Sequence, residues 1–229
     1  AVVQCLLEEQ VDVMFGYPGG AIMPVYDALY DFREEMHHVL CRHEQGAIHA
    51  AQGYARATGR VGVCLATSGP GAANLITGIA DAQIDSTPVV CITGQVASHL
   101  LGTDAFQETD VVGISMPVTK WNIQITSAEE IPAALSKAFF IARSGRPGPV
   151  LVDITKDAQF GKLDFSYERC ELVRSYVPTP QPDMEKIKEA AELINQAKRP
   201  YVLMGQGVIL AEAENEFRNF VEKAGPPTA

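Results

Sequence analysis

Glu44 is the one carboxylate in a stretch otherwise built for burial, Arg42-His43-Glu44-Gln45-Gly46-Ala47 running into Ala50-Ala51-Gln52-Gly53-Tyr54-Ala55-Arg56. It falls where a short strand-like run gives way to a helical one. A carboxylate enclosed by apolar residues at such a junction can hold or pass a proton near neutrality. The same position also suits an ordinary helix-start acid stabilised by the helix dipole, so its neighbours decide between the two. Two glycine loops accompany it, Gly16-Tyr17-Pro18-Gly19-Gly20-Ala21 and Thr67-Ser68-Gly69-Pro70-Gly71-Ala72-Ala73-Asn74. Each follows an apolar run and opens a helical one, the arrangement in which backbone amides can approach a ligand. Neither continues as a Walker loop and neither has GxGxxG spacing, so each taken alone reads equally as a tight turn. Further along, Gly205-Gln206-Gly207 resembles the start of a dinucleotide loop, with Leu210 in the third glycine's place.

Positioning these residues requires a regular frame, and the hydrophobic pattern supplies one. Runs at 11–15, 38–40, 62–67, 89–94 and 149–154 are short and rich in Val, Ile, Leu and Cys, as strands buried on both faces are. Helical periodicity lies between them at 21–30, 47–58, 74–85 and 129–144, the last opened by the cap-like Thr126-Ser127-x-Glu129-Glu130. The alternation predicts an α/β fold with a mainly parallel sheet covered on both sides and ligands at the carboxyl ends of its strands. Residues 1–160 form the expected first domain, and 161–183, with prolines and no clear period, read as a linker. A second α/β domain begins at 184–229, with a helix at 184–197, a strand at 201–204 and a helix at 211–224. Helical periodicity at residues 1–10 without a preceding cap, and a turn at the far end, mark the sequence as an internal piece of a longer protein.

Composition narrows the function classes. With 47% hydrophobic and 20% charged residues in 229, the chain is a folded globular one rather than a disordered or fibrous one. A balance of 18 basic against 28 acidic residues, net −10, argues against nucleic acid or an anionic membrane surface as partner and for small molecules. Its five cysteines are odd in number and widely spaced, which predicts reduced core thiols in a cytoplasm-like compartment. No apolar run approaches the roughly 20 residues that span a bilayer.

Six motifs in fixed order then carry a resemblance. They are Phe15-Gly16-Tyr17-Pro18-Gly19-Gly20-Ala21-Ile22, Arg42-His43-Glu44-Gln45-Gly46, Thr67-Ser68-Gly69-Pro70-Gly71, Thr93-Gly94-Gln95-Val96, Gly102-Thr103-Asp104-Ala105-Phe106-Gln107-Glu108 and Ser144-Gly145-Arg146-Pro147-Gly148-Pro149-Val150. Their order and content resemble the catalytic subunits of the acetohydroxyacid (acetolactate) synthase family, over nearly the whole chain. The resemblance implies a thiamin diphosphate-binding pyrimidine domain followed by the start of a Rossmann-like, FAD-associated central domain. It implies decarboxylation of pyruvate and condensation with a second 2-ketoacid, pyruvate or 2-ketobutyrate, in branched-chain amino acid biosynthesis.

The resemblance also assigns roles. Glu44 matches the glutamate that hydrogen-bonds N1′ of the aminopyrimidine and promotes the tautomer able to remove the thiazolium C2 proton. Pro18 and Gly19 fall in the cofactor loop, and Thr67, Pro70 and Asn74 match the wall around the pyrimidine. The Gly20 backbone and Gln107 match groups near the reacting intermediate. Phe106 would line the acceptor pocket and meet the flavin region, Arg146 resembles an arginine that contacts FAD, and Lys156 a lysine at the active-site mouth. His43 is not taken as a base, because neighbours in extended backbone point oppositely. Asp104 and Glu108 read as loop-shaping residues. The Gly-Asp-Gly…Asn motif that holds Mg²⁺ and the diphosphate is absent, so the metal ligands are expected outside this chain and the chain alone is expected to be inactive. In the family the site forms at a subunit interface of a homo-oligomer, with a small regulatory subunit as a further partner. Ala97 stands where the family often has proline, which puts inhibitor sensitivity in question. The alternatives are a related thiamin enzyme such as pyruvate oxidase or a catabolic acetolactate synthase, or a noncatalytic nucleotide-binding paralogue.

Overall fold

The structure, a computed structural model, describes residues 1–229, which divide into two compact units, Ala1–Pro178 and Thr179–Ala229. In the first unit the chain runs through α1 (Val2–Glu8), β1 (Val13–Gly16), α2 (Met23–Asp31), β2 (His37–Leu40), α3 (Glu44–Thr58), β3 (Gly62–Ala66), α4 (Pro70–Ile84) and β4 (Val89–Gln95). It continues through α5 (Val111–Ser115), β5 (Trp121–Ile125), α6 (Ile131–Arg143), β6 (Pro149–Thr155) and α7 (Lys156–Phe160). The six strands form one sheet in the order β2-β1-β3-β4-β6-β5, and every neighbouring pair is parallel.

Strands β3, β4 and β6 are buried along their whole length, and their side chains alternate between two apolar layers. Val63, Leu65, Val90, Ile92, Val150, Val152 and Ile154 join the core beneath α1, α2 and α6. Cys64, Ala66, Val89, Cys91 and Leu151 join Ala47, Ile48 and Ala51 of α3 and Leu75 and Ile79 of α4 on the other face. This period-2 division of a continuous apolar run is what a parallel sheet with two helical layers demands. All five cysteines are free thiols, with Cys5, Cys64 and Cys91 buried. No helix is long and apolar enough to cross a membrane.

Several boundaries differ from expectation. Strand β5 lies outside the expected set, yet Trp121-Asn122-Ile123-Gln124-Ile125 alternates as a half-buried edge strand should. Helix α4 begins at Pro70 rather than 74, with the proline in the first turn where its missing N–H costs nothing. Ser127 and Glu130 do form a capping box, on a 3₁₀ turn that feeds α6. The largest departure is the segment 161–178, expected as linker. It has no helix or strand but belongs to the first unit, with Phe165, Tyr167 and Val173 packed on the core layer of α1 and α6. Ser136 Oγ donates to the Glu168 carbonyl at 2.7 Å and accepts from Cys170 N at 2.6 Å, so the segment is also tied by hydrogen bonds. Apolar residues spaced to cover an exposed core edge turn a proline-bearing connection into a strap.

The second unit contains α8 (Met184–Gln196), α9 (Gln206–Leu210) and α10 (Glu214–Ala224). Asp183 caps α8 by accepting from Glu185 N and Lys186 N. In place of the strand expected at 201–204 there is a single parallel bridge between Val202 and Thr228.

Candidate active site

In an open parallel sheet the crevice lies where successive connections leave in opposite directions. From β1 the chain passes to β2 on one side, and β3 then pairs with β1 on the other. The carboxyl ends of β1 and β3 therefore flank such a point, and they carry the loops 17–22 and 67–69. The Thr67 hydroxyl, buried between them, accepts from Ala21 N at 3.2 Å and joins the two loops.

Glu44 is the first residue of α3 and is 7% exposed. His43 before it is extended, at φ −157° and ψ 138°, and its exposed ring accepts from Gln45 N through Nδ1. That cap leaves His43 outward, while Glu44, in the first turn of α3, is buried. Glu44 Oε2 accepts from Asn74 Nδ2 at 2.9 Å, while no side chain or backbone group of the chain donates to Oε1. Oε1 faces Gly71, where a Cβ would lie 3.2 Å from it and 2.7 Å from Thr67 Cγ2. The glycine keeps open a space bounded by a carboxylate oxygen and a threonine methyl.

The third loop, 96–110, reaches the same corner from β4. Gly69 has φ +57°, and a Cβ there would lie 2.6 Å from the Gln107 carbonyl oxygen, so only glycine allows this approach. Gln107 is itself left-handed, at φ +58°. The Glu108 carboxylate accepts from the amides of Gly102 and Ala105, and these backbone donors hold its carboxyl below the usual range. Glu108 thus shapes the turn as the sequence predicted. Phe106 stands 87% exposed beside Gln107.

The structure therefore brings Glu44, Asn74, Thr67, Pro70, Gly19 and Gln107 to one corner, with Pro18 and Gly20 exposed on its first loop. Lys156 opens α7 at the carboxyl end of β6, on the same edge of the sheet. Arg146 is not brought there. It precedes β6 at the opposite edge, where Nε donates to Ser86 Oγ at 2.7 Å and Nη2 to the carbonyls of Gln83 and Ile84, closing the end of α4. A buried acid that sequence reading missed, Asp153 of β6, accepts from Thr93, Gln95 and Gln124. Burial pushes its carboxyl above the usual range, and the three donors only partly oppose this. A lone acid in the apolar run Pro149-Val150-Leu151-Val152-Asp153-Ile154 was the available signal.

The chain is similar to known proteins along nearly its whole length. The family model "Thiamine pyrophosphate enzyme, N-terminal TPP binding domain" matches residues 1–114, and "Thiamine pyrophosphate enzyme, central domain" matches 187–229. The chain is 56% identical over 227 residues to the acetolactate synthase large subunit of Corynebacterium glutamicum, covering 99% of this chain and 36% of that protein. It is 52% identical to the acetolactate synthase isozyme 2 large subunit of Escherichia coli over 99% of this chain and 40% of that protein. A crystal structure of a putative thiamin diphosphate-dependent enzyme from Mycobacterium smegmatis superposes with TM-score 0.86 at 29% identity, covering 99% of this chain and 43% of that one. The chain thus spans about two-fifths or less of the length of the curated relatives named here. It belongs to the thiamine pyrophosphate enzyme family, among the relatives of the acetolactate synthase large subunits.

Proposed function

We propose that this chain is the pyrimidine-binding part of an acetolactate synthase catalytic subunit. The reaction is decarboxylation of pyruvate and condensation of the remaining two-carbon unit with a second 2-ketoacid, pyruvate or 2-ketobutyrate, on the route to valine, leucine and isoleucine. One observation carries the reading: a buried carboxylate with one oxygen fixed by Asn74 and the other undonated, between glycine loops that leave room beside it. That donor set fits an aminopyrimidine, whose ring nitrogen can share a proton with a carboxylate oxygen.

When bound, thiamin diphosphate supplies the carbon nucleophile and the electron sink. The chain's own residues orient and protonate. Glu44 Oε1 would hold the proton at the pyrimidine ring nitrogen, with little water around it to compete. Asn74 fixes the carboxylate rotamer through Oε2, and Thr67 with Pro70 forms the wall that keeps the ring in register. Gly20 and Gln107 would face the reacting 2-ketoacid, and Phe106 the acceptor. Pro18 and Gly19 belong to the cofactor loop, and Lys156 to its mouth.

The finer assignments follow the same reading. Residues 1–160 form the pyrimidine domain and 184–229 open the central one. Mg²⁺ and the diphosphate are held by residues outside this chain, and the site is completed by another subunit of a cytoplasmic homo-oligomer with a small regulatory subunit. FAD is a companion cofactor of the whole protein; Arg146 commits Nε to Ser86 and Nη2 to the end of α4, which leaves its Nη1 for an added ligand.

The test is acetolactate formation from pyruvate by the full-length protein with thiamin diphosphate, Mg²⁺ and FAD, beside its Glu44→Gln variant. Glutamine keeps an acceptor for Asn74 but cannot exchange the proton, so turnover should fall about 10²-fold or more. No product from the cofactor-loaded wild type would overturn the synthase reading.

A further inference from the structure

Asp153 and Gln95 are both fully buried, and the proposed reaction uses neither. Asp153 sits on β6 with Thr93 of β4 and Gln124 of β5 directly opposite it on the two neighbouring strands. Its Oδ1 accepts from the Thr93 hydroxyl at 2.6 Å. Its Oδ2 accepts from the amides of Gln124 at 2.9 Å and Gln95 at 3.1 Å. No cation is among the donors. Taking a carboxylate into a sheet interior costs several kcal/mol even when hydrogen-bonded, and an apolar side chain of the same size would fill the space without that cost.

What the acid orders is the amide of Gln95. One hydrogen-bonding arrangement satisfies every partner: Nε2 donates both to Asp153 Oδ2 and to the Thr109 carbonyl at 2.9 Å, and Oε1 accepts from Val96 N at 2.9 Å. Rotating the amide by half a turn would set its oxygen against two acceptors and its donors against Val96 N–H. The acid therefore fixes which way the amide faces. Val96 and Thr109 are the two ends of the loop that carries Phe106 and Gln107. A single side chain thus closes that loop at its base, two residues from Gln107, whose carbonyl lies where a Cβ on Gly69 would be.

We infer that Gln95, oriented by Asp153, is a positioning residue that clamps both ends of the 96–109 loop and so holds Gln107 against Gly69 at the mouth of the Glu44 site. The inference rests on the carboligase reading for what Gln107 faces, but not for the clamp itself.

The test uses the full-length holoenzyme with Gln95→Met, which keeps the length of the side chain and removes all three bonds. Thr93→Val is the control, since it removes one bond to Asp153 and leaves every bond of Gln95. Backbone hydrogen exchange over 97–108 should rise about tenfold or more in Gln95→Met, with turnover falling by a similar factor. Thr93→Val should lower the melting temperature while leaving loop exchange and turnover within about threefold of wild type. Should Gln95→Met fail to fold, Gln95→Asn, one methylene too short to reach both Asp153 and Thr109, is measured in the same way with the same expectation. Loop exchange unchanged in the Gln95 variant, or raised equally by Thr93→Val, would overturn the clamp. If Glu44→Gln kept full activity while Gln95→Met still opened the loop, the carboligase reading would fall and the clamp would stand.

Discussion

The two edges of the parallel sheet are built from different chemistry. At the carboxyl edge the polar contacts named above are between neutral groups or from a neutral donor to an acid: Asn74 to Glu44, Ala21 N to Thr67, and three donors to Asp153. Positive-φ backbone occurs at both edges, at Gly69, Gly102, Asp104 and Gln107 on this one and at Gln10, Gly59, Ser86 and Gly145 on the other. At the amino edge the contacts include ion pairs, Arg60 to Asp12 at 2.8 Å, Arg56 to Asp85 at 2.7 Å and Arg143 to Glu9 at 2.5 Å, beside cation-to-neutral bonds such as those of Arg146. Glu9 also receives the Tyr167 hydroxyl at 2.6 Å and fastens the packed 161–178 segment to α1. A buried acceptor without a donor is costly, and Glu44 Oε1 lies where a ligand would repay it. The opposite edge pairs its charges and ties early chain to late chain. One edge trades stability for a site, and the other restores it.

That contrast breaks most directly through substitutions of the same kind on the two edges. Glu44→Gln, with the largest expected loss of turnover, touches only the carboxyl edge. Next come two glycines with the same backbone sign. Gly69 at φ +57° meets Gln107, whereas Gly59 at φ +71°, closing α3 on the amino edge, has no neighbour within 4 Å of an added Cβ. Alanine at Gly59, with ψ 4°, costs about 1–2 kcal/mol of backbone strain, and at Gly69, with ψ −120° and backbone in the way of a Cβ, it costs more. Gly69→Ala must also push the 96–109 loop away, so turnover should fall about tenfold or more, whereas Gly59→Ala should lower the melting temperature and leave turnover near wild type. Equal kinetics for the two variants would show that the loop contact does not matter to the site.

The frame was legible because its signal is redundant. Strands β3, β4 and β6 are long apolar runs, and a shift of a residue or two at their ends leaves each strand in place. Glu44 was legible because a lone acid among alanines is conspicuous. What escaped was set by tertiary context. Strand β5 is half-exposed and short, and Arg146 sits in a glycine-rich turn whose sequence does not say which helix end lies beside it. Asp153 and Gln95 are polar residues near the ends of mostly apolar strands, and only the sheet register shows that they share a face. The 161–178 segment looked like a linker because its apolar residues follow no period; they match the shape of a core edge, which no local pattern encodes.

Arg143→Ala tests the amino edge by itself. It leaves the Glu9 carboxylate, whose side chain is 1% exposed, with Tyr167 as its remaining side-chain donor. Because the guanidinium is itself 41% exposed, the loss should be about 1–3 kcal/mol of unfolding free energy, with kcat and KM of the full-length enzyme unchanged. A fall in kcat larger than the fall in stability would join the two edges functionally and end the division of labour argued above.

The smallest effect sharpens the comparison within the carboxyl edge, where two acids four residues apart shift in opposite directions. For Asp157 partial burial pushes the carboxyl up, but hydrogen bonds led by Ser98's hydroxyl outweigh it and hold the group at about 2, below its ordinary 3.8. Its contribution to stability is therefore complete above 3.8 and is lost as pH falls toward 2. For Asp153 burial wins over the donors and the carboxyl is raised, so its contribution is present below 3.8 and is lost as pH rises through the folded-state value. Unfolding free energies of wild type, Asp157→Asn and Asp153→Asn, measured across that acid range and up to neutrality, should separate the two. The deficit of Asp157→Asn should shrink toward the acid end, and that of Asp153→Asn should shrink toward the neutral end. Curves that stay parallel to wild type would mean that neither carboxyl titrates differently in the fold. In that case the cost assigned to the buried acid would disappear.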